Sequence, residues 1–148
     1  MAFAVATSYS SMRSWSVALA KRIHVVVVDD DKSVRDGLTS LMESYGYSVQ
    51  AFESGETFMG SDYLSHADCL VADIHMPGMS GFELYSRLVA SGQPIPTILI
   101  TARDDERARA RALQAGVQCY LPKPCDETQL LSCIRSALAN RGARDGPS

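Results

Sequence analysis

Acidic side chains follow the ends of apolar segments in this 148-residue sequence. Asp29 and Asp30 end one segment, and Asp73 ends another, shortly before a turn that contains Pro77 and Gly78. Carboxylates in such positions can bind a metal ion, and one of them can act as a nucleophile toward a phosphoryl group. An isolated Asp after a strand more often caps a helix or forms a turn, so the interpretation depends on which other groups lie near Asp73.

A hydroxyl group and an ammonium group follow two further apolar segments. Thr101 comes after residues 97–100, and Lys123 lies between two prolines after residues 117–121. A metal ion, a lysine and a hydroxyl supply the charge compensation that phosphoryl transfer requires. Taken alone, Thr101 is as typical of a residue that packs in a strand as of a chemical group. Lys123 taken alone is also compatible with a simple surface charge. Only a fold that brings both to the carboxylates would favour the chemical interpretation.

The elements that position these residues alternate between buried strands and amphipathic helices. Continuous apolar segments predict strands at 23–28, 47–52, 69–72, 97–100 and 117–121. Apolar residues at helical spacing predict helices at 33–45, 54–64, 81–91, 104–114 and 128–139. This alternation predicts an α/β fold with a doubly wound, five-stranded parallel sheet and five helices. The flavodoxin-like strand order 2-1-3-4-5 is the most economical arrangement.

That strand order places the ends of the first and third strands side by side. Asp29 and Asp30 would then lie next to Asp73, where like charges ~4 Å apart repel by several kcal/mol. A divalent cation would relieve this repulsion. Mg²⁺ prefers oxygen ligands and bridges carboxylates to phosphate, whereas zinc favours Cys or His. We therefore predict a Mg²⁺ site, with Mn²⁺ as the alternative.

Length, charge and cysteine content limit the class of protein. We predict one domain at 23–140, preceded by a flexible extension at 1–22 and followed by a polar, disordered tail at 141–148. The net charge of −3 provides no overall basic field for nucleic acid, and no apolar segment is long enough to cross a membrane. We predict a cytoplasmic protein in which all four cysteines, at 69, 119, 125 and 133, are reduced thiols.

Four motifs together resemble the receiver domain of two-component response regulators. They are VVVVDDD at 25–31, DIHMPGMSG at 73–81, ITA at 100–102 and YLPKP at 120–124. Each is weak alone, but all four occur in the family's order and at the matching elements. The spacing through LITARDD at 99–105 is most similar to the FixJ-type branch.

The resemblance implies a role for each residue at the predicted sheet edge. Asp73 matches the phosphoacceptor, and Lys123 the lysine that pairs with the phosphoryl group. Asp29 and Asp30, together with Asp73 and the backbone carbonyl of His75, match the metal ligands. The family is phosphorylated by a sensor histidine kinase or a phosphotransfer protein.

The resemblance also implies a conformational switch. Thr101 matches the hydroxyl that closes on the phosphoryl group, and Tyr120 the aromatic ring that turns inward behind it. Their movement would reshape the surface of the fourth helix, fifth strand and fifth helix, through which a phosphorylation-dependent homodimer can form. No direct contact with DNA or with a membrane is expected from this chain.

Several residues depart from the family pattern or invite other interpretations. Asp31 is predicted to cap the first helix. The ring of His75 is interpreted as a solvated side chain, with an effect on the acyl phosphate as the alternative. Cys125 replaces a residue that is commonly aromatic. The arginines at 103, 107, 109 and 111 favour a solvated helix face over a phosphate or DNA contact.

Two alternatives remain open at the level of sequence. The first is a metal-dependent phosphatase or phosphotransferase of similar fold with Asp73 as nucleophile, although no second acid or substrate lid is apparent near that residue. The second is a receiver fragment of a FixJ-type transcription regulator. The favoured interpretation is a self-phosphorylating and self-dephosphorylating switch that is not otherwise an enzyme.

Overall fold

The computed structural model describes residues 22–103 and 105–145. The strands are β1 (His24–Val28), β2 (Ser48–Phe52), β3 (Cys69–Asp73), β4 (Thr97–Thr101) and β5 (Cys119–Pro122). The helices are α1 (Lys32–Ser44), α2 (Gly55–Met59), α3 (Gly81–Ala90), α4 (Glu106–Ala115) and α5 (Glu127–Asp145), with a 3-10 turn at Asp62–Ser65. Residues 1–21 of the predicted extension, the predicted helix start at 104, and residues 146–148 lie outside the described residues.

The five strands form one parallel sheet in the order β2-β1-β3-β4-β5, which confirms the predicted fold class and topology. The register aligns the carboxyl ends of neighbouring strands: Val28 lies opposite Ala72, and Asp73 lies opposite Ile100. Residues that directly follow the strands therefore meet at a single edge of the sheet.

Apolar side chains fill the space on both faces of the sheet. Along β1, Val25 and Val27 point into a cluster covered by α1 and α5, whereas Val26 and Val28 point into a cluster covered by α2, α3 and α4. All four valines are at most 1% exposed. Burial on both faces explains why the strands are continuous apolar segments rather than alternating ones.

Two helices differ in length from the prediction by more than one turn. The predicted second helix was to reach Leu64, but α2 ends at Met59 with Gly60 as its C-cap. The Ser61 hydroxyl then donates to the Phe58 carbonyl and accepts from the Tyr63 amide, which starts a separate 3-10 turn. The last helix was predicted to end at residue 139, yet α5 continues to Asp145.

The cysteine prediction was wrong for one pair. Cys119 in β5 and Cys133 in α5 form a disulfide, and their Cα atoms lie 6.2 Å apart. A separation of 14 residues carries no signal of this pairing, because it depends on how α5 packs against β5. Cys69 and Cys125 are free thiols, and burial raises the pKa of Cys69 to about 12. None of the helices in the described part of the chain is long and apolar enough to cross a membrane.

Candidate functional site

Three carboxylates meet where β1 and β3 end. One oxygen from each of Asp29, Asp30 and Asp73 lies within 4.8 Å of the other two. Asp29 is fully buried and Asp73 is 5% exposed, whereas Asp30 faces solvent. This all-oxygen donor set, open to solvent on one side, fits a hard divalent cation that retains water ligands.

Lys123 provides positive charge to the two buried carboxylates. Its Nζ lies 2.8 Å from Oδ2 of Asp29 and 3.1 Å from Oδ2 of Asp73. Burial alone would lower the pKa of Lys123, but its hydrogen bonds and charge interactions with both aspartates outweigh burial and raise the pKa. The backbone amide of Lys123 donates to the carbonyl of Thr101 at 2.7 Å, which fixes the lysine beside β4. The ammonium group therefore stays charged at neutral pH.

Asp73 lies in an environment that disfavours its negative charge. Its pKa is raised chiefly by burial, and the charge of Asp29 adds to the effect. The hydrogen bond from Lys123 and the backbone amide of His75, which donates to Oδ1 at 3.1 Å, act in the opposite direction without cancelling it. Added positive charge at this position is therefore favourable.

In the absence of divalent metal ions, Asp73→Asn is expected to be more stable than the parent chain at neutral pH. The raised pKa of Asp73 means that the folded chain holds this proton more tightly than the unfolded chain, whose value is near 3.8. The parent chain consequently loses stability as pH rises from 3.8 through the folded-state pKa. Urea denaturation of both chains in EDTA, below pH 3.8 and at neutral pH, measures the difference between their free energies of unfolding.

Asp36→Asn is a matched control for this measurement. The Asp36 carboxylate is 65% exposed and forms an ion pair with the exposed ammonium group of Lys32. Its replacement should change stability by less than about 0.5 kcal/mol at either pH. An Asp73→Asn chain that is less stable than the parent at neutral pH would contradict the argument from burial.

Hydrogen bonds from the start of α1 hold Asp29 in place. Its Oδ1 accepts from the backbone amide of Asp31 at 2.9 Å, and its carbonyl accepts from Nη1 of Arg35 at 2.7 Å. Asp31 caps α1 by accepting from the Ser33 amide and hydroxyl, which confirms its predicted role. The contribution of Arg35 was missed because no local pattern shows that its side chain turns back to the strand end.

The connection from β3 to α3 passes very close to Asp73. The amide of Gly81 donates to the carbonyl of Ile74 at 3.1 Å, and a Cβ atom at position 81 would overlap the carbonyl oxygen of Asp73. Ser80 caps α3 by accepting from the Glu83 amide. The ring of His75 is exposed, as predicted for a solvated side chain. This tight turn fixes the direction of the Asp73 carboxylate.

Thr101 also lies at this edge, but its hydroxyl is engaged elsewhere. It is 1% exposed, and its Oγ1 donates to the carbonyl of Arg103 at 2.9 Å and accepts from the amide of the same residue at 3.0 Å. The hydroxyl has a single proton, so donating it to another group requires the hydrogen bond to the Arg103 carbonyl to break.

Tyr120 is already buried, with 3% of its surface exposed. Nη1 of Arg109 donates to the Tyr120 carbonyl at 3.0 Å, and its guanidinium lies 6.0 Å from the ring centroid. Arg111 stacks on the ring of Phe82 at 4.9 Å. Arg107 and Arg111 are exposed, as predicted for a solvated face, whereas Arg109 is half-buried and contacts β5, so that interpretation is wrong for Arg109.

Residues 25–135 match the sequence family described as the response regulator receiver domain. The chain is 37% identical over 114 residues to the response regulator protein TodT of Pseudomonas putida, covering 77% of this chain and 50% of TodT. It is 33% identical over 115 residues to the transcriptional regulatory protein FixJ of Bradyrhizobium diazoefficiens, covering 78% of this chain and 56% of FixJ. The solved structure of the response regulator StyR matches with a TM-score of 0.77 and 42% identity, covering 83% of this chain and 62% of StyR. The chain thus spans about half the length of these curated relatives.

Proposed function

Because the chain belongs to the response regulator receiver domain family, we propose that Asp73 is its phosphoacceptor. The observation that carries the proposal is the Asp73 carboxylate itself, 3.1 Å from the Lys123 ammonium and within 4.8 Å of two further carboxylates. One Asp73 oxygen attacks the phosphorus of the donor, and the bond from phosphorus to the leaving group breaks. The leaving group keeps the electron pair and takes a proton from solvent, and an acyl phosphate forms.

The neighbouring groups compensate the charge that the phosphoryl group brings. Mg²⁺ or Mn²⁺, held by Asp29, Asp30, Asp73 and the backbone carbonyl of His75, would neutralise phosphoryl oxygens. Lys123 exchanges its contact with Oδ2 of Asp73 for one with a phosphoryl oxygen. Its raised pKa keeps it charged throughout.

Phosphorylation then acts as a switch through Thr101. The new phosphoryl oxygens attract its hydroxyl away from Arg103, and Tyr120 stays packed behind the displaced loop. Hydrogen bonds to charged groups contribute about 1.5–3 kcal/mol each. Two or three of them approach the ~5.5 kcal/mol that reverses a two-state equilibrium from 1:99 to 99:1. The surface formed by α4, β5 and α5 changes as a result.

The partners follow from this role. The receiver domain, residues 23–140, takes its phosphoryl group from a sensor histidine kinase or a phosphotransfer protein, in the cytoplasm. The altered surface of α4 and β5 supports a phosphorylation-dependent homodimer. Direct contact with DNA is not part of the proposed role of these residues, although TodT and FixJ are longer proteins and FixJ is a transcriptional regulatory protein.

Intact-mass spectrometry after incubation with acetyl phosphate tests the proposal. The parent chain is expected to gain one phosphoryl group, about 80 Da, only when Mg²⁺ is present, and Asp73→Asn to gain none. Asp36→Asn keeps its exposed position on α1 and should be labelled like the parent chain.

Two results would refute the proposal. Labelling that persists in Asp73→Asn would assign the phosphoryl group to another residue, and a folded parent chain that gains no mass would exclude acceptor chemistry. Steady turnover of a phosphomonoester, in place of single labelling, would favour the phosphatase alternative.

A further inference from the structure

A cavity of about 440 Å³ lies between α3 and α4, on the face of the sheet that these helices cover. Its inner wall includes Leu99, which is fully buried, and Ala112, which is 1% exposed. Phe82 forms an aromatic side wall. The space exists because the α4 positions nearest the sheet, 108 and 112, are alanines whose short side chains do not fill it. Its volume suits a small organic ligand.

Two arginines one helical turn apart give this cavity a positive rim. Arg107 and Arg111 both line it, and the Arg111 guanidinium is held 4.9 Å from the Phe82 ring centroid. Asp105 is the acidic residue of the lining, but its Oδ1 accepts from two backbone amides in the first turn of α4. Within the described residues, no carboxylate forms an ion pair with either guanidinium. The positive charge of the rim is therefore not neutralised by any carboxylate within residues 22–103 and 105–145.

We propose that this cavity binds a small organic oxyanion, meaning a molecule with an apolar body and one carboxylate or phosphate group. Arginine is suited to such groups because its planar fork can donate two parallel hydrogen bonds to one oxyanion. The stacking of Arg111 on Phe82 holds one guanidinium group in place before the ligand binds. The apolar body would cover Phe82 and Leu99, which matches the usual division of a ligand site into apolar walls and few polar contacts.

The site adjoins the loop that follows β4. Asp105 and Arg107 line the cavity, and Arg103, four positions before Arg107, donates its amide to Thr101 at 3.0 Å. A ligand held by Arg107 therefore pulls on the same loop that positions the Thr101 hydroxyl. Binding should be visible at the Arg103 amide, independently of any phosphorylation.

Amide chemical-shift titration of the ¹⁵N-labelled chain, in EDTA, tests the proposal with benzoate and phenyl phosphate as probes and benzyl alcohol as the neutral analogue. Saturable shifts are expected at residues 80–82, 103 and 105–112, with a dissociation constant on the order of 1 mM for ligands of this size. Arg107→Gln and Arg111→Gln should each weaken binding at least about tenfold. A preference for phenyl phosphate over benzoate, or the reverse, would identify which oxyanion the site takes.

Arg87→Gln is the matched control, because Arg87 lies on the exposed side of α3 and pairs with Glu83. It should bind both probes like the parent chain. Ala108→Leu fills the cavity while keeping both arginines, so it should also abolish binding if the arginine variants fold poorly. The proposal is overturned if no saturable shifts appear up to about 20 mM, if benzyl alcohol binds equally well, or if Arg87→Gln weakens binding as much as Arg111→Gln.

Discussion

Lys123→Met is expected to destabilise the chain by about 3 kcal/mol and to slow phosphoryl uptake by about 100-fold. The ammonium group lies 2.8 Å from Asp29 and 3.1 Å from Asp73, and both carboxylates are almost fully buried. Without it, two like charges remain next to each other, and no other cationic side chain of the described residues forms an ion pair with either carboxylate. Lys123 keeps 18% of its side chain exposed, so water moderates the loss and places it at the lower end of the range for a broken buried ion pair.

Lys32→Met is the control for this variant. Lys32 also pairs with an aspartate, Asp36, at 2.7 Å, but the two side chains are 77% and 65% exposed. The control should lose less than about 1 kcal/mol and be labelled by acetyl phosphate at the parental rate. Urea denaturation with and without Mg²⁺ measures the free energy of unfolding of both variants. Labelling time courses measure their rates of phosphoryl uptake. Equal destabilisation by the two substitutions, or labelling of Lys123→Met at the parental rate, would show that Lys123 has no special role.

Gly81→Ala is expected to destabilise the chain by about 3 kcal/mol and to abolish labelling of Asp73. Its new methyl group would overlap the carbonyl oxygen of Asp73 and come within 3.2 Å of the Ile74 Cα. Both obstacles are backbone atoms, which cannot move aside as a flexible side chain can. The β3–α3 connection must shift instead, and the Asp73 carboxylate with it.

Gly37→Ala is the matched substitution in α1. A Cβ atom there would meet nothing within 4 Å, so the helix gains the usual advantage of alanine over glycine, about 0.5–1 kcal/mol. Thermal denaturation and mass labelling of the two variants compare the same chemical change at a crowded and an open position. If Gly81→Ala proved as stable and as readily labelled as Gly37→Ala, the explanation would be wrong. Gly81 would then not be required for the close approach of the Asp73 and Ile74 backbone.

The fold and the acidic cluster followed from local patterns in the sequence. Continuous apolar segments specify strands that are buried on both faces, and their alternation with helices leaves few topologies. Once the strand order is known, Asp29 and Asp73 must be neighbours, because Asp29 directly follows β1 and Asp73 is the last residue of β3. Asp31 was predictable for a similar reason, since a helix cap depends only on residues two or three positions away.

Contacts made by long side chains between elements could not be predicted in this way. Arg35 reaches the carbonyl of Asp29, and Arg109 reaches that of Tyr120, only because flexible side chains cross from a helix to a strand. The disulfide between Cys119 and Cys133 depends on how α5 packs against β5. No periodic pattern contains this information, which is why a solvated Arg109 and four free thiols were the wrong expectations.

The contact between Arg109 and Tyr120 also affects how copies of this chain can associate. β5 is an edge strand, and edge strands with free backbone groups invite strand addition and aggregation. Here the Tyr120 carbonyl accepts from Arg109, and the strand ends in Pro122, which has no amide hydrogen to donate. At the Tyr120 carbonyl and the Pro122 nitrogen, a second chain that approaches this edge therefore meets side-chain atoms in place of an open hydrogen-bonding group. A dimer built on α4 and β5 would pack side chain against side chain, as two separate sheets, and could come apart again without breaking a continuous β-ladder.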